Sequence, residues 1–146
     1  MRIQPIEPGT RSELADIEQQ IQAERGRISP LYQVLLHSPA IAKGWEGMLS
    51  AVRNYSSISP AIRELIILRV AMLNNAAYEF DAHVPHALKA GTSQEAIDAT
   101  RDVSVDVNAH WTPVEQLAIQ VTDALTRKVE VPEALFQRVA EHFNEQ

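Results

Sequence analysis

With 146 residues, 45% of them hydrophobic, the chain has the length of one domain able to close its own core. Its net charge of −6 and pI near 5.3, with basic residues scattered mostly singly, exclude an obvious phosphate-backbone binder, so no nucleic-acid partner is expected. There is no cysteine, which removes thiol catalysis, disulfides and thiolate metal ligands together.

The opening MRIQPIEPGT lacks the apolar core of a signal peptide, and no run of about 18 apolar residues is present to span a bilayer. The expectation is a cytoplasmic protein with no membrane partner. SELADIEQQIQAER then places Leu14, Ile17 and Ile21 on one helical stripe. Ser-Pro steps follow at Ser29-Pro30, Ser38-Pro39 and Ser59-Pro60, and a Thr-Pro step at Thr112-Pro113. Each reads as an N-cap followed by the first helical position, where the missing N–H of proline costs nothing. TPVE, with Glu115, extends the last into a capping box, and Thr92 with Glu95 predicts another.

Behind these starts the apolar period is helical. Ile41, Trp45, Met48, Leu49 and Val52 form the next predicted stripe. From Pro60 to Leu73 only Arg63, Glu64 and Arg69 are polar, which predicts a central helix covered by neighbours or by a partner subunit. Asn75 is a candidate cap for the helix after it, and Gly91 its left-handed end. Val103–Val107 alternates but is short and isolated, and reads as a helix end and loop. Val114, Leu117, Val121 and Leu125, then Leu135, Val139 and Phe143, complete the pattern. The prediction is an all-α, single-domain bundle of six to eight helices spanning residues 1–146.

Four polar positions on these helices invite chemistry. Glu64 has Ala61, Leu68 and Ala71 as its helical neighbours, so its carboxylate is either a structural ion pair or a functional group. Glu79 and His83 stand four apart, about 40° round the helix, and His86 falls about 20° to the other side of Glu79. An exposed helix pair, an acid–base pair and a Glu79–His83–His86 metal site all fit that spacing. Pro85 distorts the helix between the two histidines and weakens the metal reading. His37, His110 and His142 lie near helix ends or the terminus and read as solvated.

The stretch Arg63 to Ile97, RELIILRVAMLNNAAYEFDAHVPHALKAGTSQEAI, resembles the carboxymuconolactone decarboxylase superfamily, which includes the alkylhydroperoxidase D-type (AhpD-like) proteins. The matching residues are Arg63-Glu64-Leu65, Tyr78-Glu79-Phe80, His83 and Ala90-Gly91-Thr92-Ser93, within a core motif at 60–97, and looser similarity runs from Trp45 to about Phe136. Phe80 stands where this branch commonly has tryptophan. The two cysteines of the peroxidase branch fall at Ala76 and Glu79, so the resemblance implies no thiol peroxidase activity here.

The resemblance further implies an AhpD-like helical fold, a homo-oligomer (trimer or hexamer), and a decarboxylase-like enzyme needing no cofactor. Its substrate would be a small carboxylated or lactone metabolite of aromatic-compound breakdown. His83 would be the general acid–base, Glu79 its orienting or proton-transferring partner, and Glu64 a buried carboxylate completing the relay. Tyr78 would contribute a hydroxyl, and Arg63 and Arg69 are candidates for the substrate carboxylate. The alternatives are a non-catalytic oligomer that binds a small acid, and the metal site of Glu79, His83 and His86.

Overall fold

Proline steps set four of the helix starts in the computed structural model, which describes residues 3–143. After a 3-10 turn at Ser12–Leu14 come α1 (Ala15–Arg25), α2 (Pro30–Leu35), α3 (Pro39–Asn54), α4 (Pro60–Leu73), α5 (Ala77–Lys89), α6 (Gln94–Ala99), α7 (Pro113–Lys128) and α8 (Glu133–Ala140). Among the described residues there is no strand, and the alternating Val103–Val107 segment is loop. No helix among them is long and apolar enough to cross a membrane.

All four Ser/Thr-Pro steps open helices, but by two means. Ser59 accepts from the Ile62 amide, and Thr112 forms the full reciprocal box with Glu115. Ser29 and Ser38 make no side-chain cap bond, so proline alone sets the start there. The predicted Thr92–Glu95 box does not form. α5 ends in a Schellman arrangement, with Gly91 at φ 93°, the Gly91 amide donating to Leu88 O and the Thr92 amide to Ala87 O. Thr92 is thereby spent on closing α5, and the cap of α6 moves to Ser93, which accepts from the Ala96 amide. Asn75 plays the Gly91 role for α4: at φ 55° it is the left-handed residue after the helix, not the cap of the next one.

Residues up to Ser56 form one compact unit and those from Ser57 onward another. In the first, α1 and α2 pack on α3 around Leu14, Ile17, Ile21, Tyr32, Leu36 and Ala42. The α1 stripe is as expected, whereas α3 buries the wrong face for its sequence. Ala42 and Glu46 are fully buried, while Ile41, Trp45, Met48 and Val52 are 37–59% exposed. Polar satisfaction explains this: Glu46 accepts from Arg25 Nε at 2.9 Å, from the Tyr32 hydroxyl and from Ser50 Oγ. Burial raises a carboxyl's pKa, but the bonds from Ser50, Tyr32 and Arg25 outweigh it and hold Glu46 below its usual range.

In the second unit α4 lies between α5 and α7, α8 packs on α7, and α6 on α5. Leu68, Ala71, Phe80, Ala87 and Ile97 form one cluster, and Leu65, Ala96, Trp111 and Ile119 another. Full burial of each Leu, Ile or Phe here contributes about 1.5–3 kcal/mol. Trp111 keeps its polar atom satisfied by donating Nε1–H to Ala96 O.

Candidate active site

The residues that could do chemistry meet where α4 packs on α5. Glu64, in the second turn of α4, points its helix stripe at α5, whose buried face is Phe80, His83 and Ala87 with Val84 beside them. That is a regular i, i+3, i+4, i+7 stripe, so His83 faces the core. Tyr78 and Leu88, which obscured the polarity of this helix in the sequence, are 75% and 46% exposed.

Packing the two helices brings His83 Nδ1 within 2.6 Å of Glu64 Oε2, with both side chains only 6–7% exposed. When Glu64 is ionised, Nδ1–H is the donor, which leaves Nε2 as the other working end of the ring. Nε2 lies 3.4 Å from Glu79 Oε1, and Glu79 is 53% exposed. A row of acid, imidazole and acid therefore runs from solvent into the protein. Arg63 Nε stands 3.5 Å from the second Glu64 oxygen.

Glu64 also lines an open cleft of about 350 Å³ with Pro60, Arg63, His86, Lys89 and Ala90. Two other clefts are of a different kind. One of about 350 Å³, beside Ile66, Val121 and Leu125, has no titratable lining residue. The other, of about 650 Å³, includes Asp123, whose carboxylate is engaged by Arg69.

α5 is continuous through Pro85, which sits on its exposed side, and His86 is exposed with its ring 5.6 Å from that of His83. Among the described residues no group of three or more His, Asp or Glu is placed to hold a metal ion. Both ring nitrogens of His83 face carboxylates instead. Exposed at the start of α5, Tyr78 is not brought into the buried pair.

Arg69 is a structural residue. It is fully buried, and its five N–H groups go to Asp123 Oδ1 and Oδ2 and to the carbonyls of Thr100, Asp102 and Val105. Nothing remains for a ligand, and of the two arginines raised by the sequence only Arg63 reaches the cleft. Lys89, missed in the sequence, lies there too. Its only signal was a position three residues after His86, near the end of the same helix.

Comparison with known proteins places the chain in a family. The chain is 31% identical over 93 residues to the uncharacterized protein YdfG of Bacillus subtilis (strain 168), a match that covers 62% of each chain. No solved structure matches it. The model of the carboxymuconolactone decarboxylase family matches residues 39–124, a span that holds Glu64, Glu79, His83 and the cleft, and the chain belongs to that family.

Proposed function

We propose that the protein is an acid–base enzyme, a carbon–carbon lyase that decarboxylates a small carboxylated or lactone metabolite using its own side chains. One observation carries this reading: a buried carboxylate–imidazole hydrogen bond of 2.6 Å whose carboxylate opens onto a cleft. A purely structural ion pair has no need of that opening. With no cysteine in the chain, peroxide reduction by a thiol pair is not open to it.

In the decarboxylation, the bond between the carboxylate and the adjacent carbon breaks and CO2 leaves. The electron pair passes into the conjugated lactone carbonyl as an enolate. Carbon must then be protonated. The Glu64 carboxylate takes the Nδ1 proton of His83 and passes it on into the cleft. Glu79 returns a proton to Nε2 from solvent. His83 is thus the acid–base imidazole, and the two carboxylates are its inner and outer partners. Such positioned proton transfer contributes about 10²–10⁴-fold to a rate.

The assay is CO2 release from carboxymuconolactone by wild type and by Glu64→Gln and His83→Ala, with circular dichroism to check the fold. Turnover lost in both folded variants is the expected outcome. Wild-type protein that yields no product across the pH range, or variants with near-normal rates, would sink the proposal. The same reading includes a homo-oligomer, a trimer or hexamer, supported by the apolar stripe that α3 leaves exposed at Ile41, Trp45, Met48 and Val52. Light scattering that gives a monomer mass at working concentration would remove that part.

A further inference from the structure

We propose that Arg63, His86 and Lys89 form a carboxylate-binding subsite at the Glu64–His83 pair, so that the cleft grips an organic acid by its carboxylate. The inference rests on the acid–base reading above and deepens it by naming what holds the ligand.

The three residues come from two helices and converge on one cleft. Arg63 belongs to the first turn of α4, and His86 and Lys89 to the end of α5. Basic residues at the end of α5 alone would be an ordinary complement to the negative end of a helix dipole. That account does not reach Arg63, which stands in the N-terminal turn of α4, where the dipole disfavours a cation. Residues of both helices line the same space, and the Glu64 carboxylate, 3.5 Å from Arg63 Nε, helps to hold that guanidinium there.

Charge in the cleft favours an anion. Two fixed cations, Arg63 and Lys89, face one carboxylate, and that carboxylate is already engaged by His83 Nδ1 at 2.6 Å. His86 lines the same wall. A guanidinium offers paired N–H groups whose spacing matches the two oxygens of a carboxylate, and lysine adds a compact charge. The volume of about 350 Å³ is at the small end for ligand sites, which suits a metabolite-sized acid. With Glu64 in the same lining, an acid held by these cations presents its carbon skeleton to the proton-transferring carboxyl.

Isothermal titration calorimetry at fixed pH and ionic strength tests this with three probes: cis,cis-muconate, its neutral dimethyl ester, and inorganic phosphate. Muconate is expected to bind wild type, and the ester and phosphate at least about tenfold more weakly, the scale of one lost charge-assisted hydrogen bond. Lys89→Gln and Arg63→Gln should each weaken muconate by about tenfold or more. Lys43→Gln, an exposed lysine far along the chain, should change nothing. Glu64→Gln should bind muconate at least as tightly as wild type, because it removes the one negative charge in the lining.

No muconate binding to wild type, equal binding by the ester or by phosphate, or unchanged affinity in both Lys89→Gln and Arg63→Gln would each overturn the subsite. Full turnover by Glu64→Gln would instead remove the acid–base reading while leaving the binding results in place, so the two failures are distinguishable.

Discussion

Glu46 and Glu64 are both glutamates buried on helices, and they are held in opposite ways. Glu46 is fully enclosed, with Arg25, Tyr32 and Ser50 donating to its two oxygens. Glu64 is bonded to an imidazole that can itself gain or lose a proton, and it lines an open cleft. Burial is common to both and so decides nothing. What separates them is whether the partners can change protonation and whether the site is open. Arg69 and Arg63 differ in place as well: one is enclosed with all its donors on the fold, and the other, beside Glu64, lines the cleft.

The sharpest way to break the contrast is to make the same substitution at both carboxylates. Glu64→Gln should cost about 10²–10⁴-fold in turnover, beside a loss of about 1–3 kcal/mol for the charged hydrogen bond to His83. Glu46→Gln should leave kcat of the folded protein unchanged and cost about 2–3 kcal/mol of stability, since the charge opposite Arg25 is lost and an amide NH2 cannot accept from the donors on the second oxygen. Exchanged outcomes in steady-state kinetics, with urea unfolding measuring the stability of each variant, would dissolve the distinction. For the arginines, Asp123→Ala strips Arg69 of its counter-ion while leaving a buried charge, and should destabilise by about 3–5 kcal/mol. Arg63→Gln should move the unfolding midpoint far less.

Around Glu46, pH should act at both ends of the scale. Because Glu46 titrates below its ordinary value when folded, it adds stability above the ordinary carboxylate range that is lost as pH falls through its folded pKa. Tyr32 moves the other way: burial, then its bond to Glu46, pushes the hydroxyl up to about 12. Its contribution is whole below pH 10 and is lost as pH rises from 10 towards 12. Urea midpoints measured against pH should therefore fall at both extremes. Tyr32→Phe should flatten the alkaline limb, and Glu46→Gln the acid one. An alkaline limb that survives in Tyr32→Phe would show that another group sets it.

Much of this was legible in the sequence because it depends on local rules. Proline after Ser or Thr fixed four helix starts, and the apolar run from Pro60 to Leu73 located the central helix to the residue. The pairing of Glu64 with His83 was not readable from spacing, since the two lie 19 residues apart on different helices; family likeness suggested it. The buried face of α3 was misread because hydrophobicity ranks Trp45 and Met48 above Glu46, and only tertiary partners reverse that order. Arg69 failed as a ligand residue for the same reason: its acceptors are carbonyls of the loop at 100–105 and a carboxylate on α7, none marked by any motif.

The smallest test compares two adjacent residues, one with its hydroxyl satisfied and one without. Ser93 caps α6 through the Ala96 amide, whereas the neighbouring Thr92 hydroxyl is buried with no hydrogen-bond partner. Ser93→Ala should cost about 1 kcal/mol, the usual value of a helix cap. Thr92→Val keeps the shape and removes a stranded hydroxyl, whose burial without a bond costs about 1–3 kcal/mol, so it should stabilise. The two midpoints should move in opposite directions from wild type. If the cap of α6 were Thr92, as its spacing to Glu95 first suggests, the signs would be reversed: Thr92→Val would lose stability and Ser93→Ala would be silent.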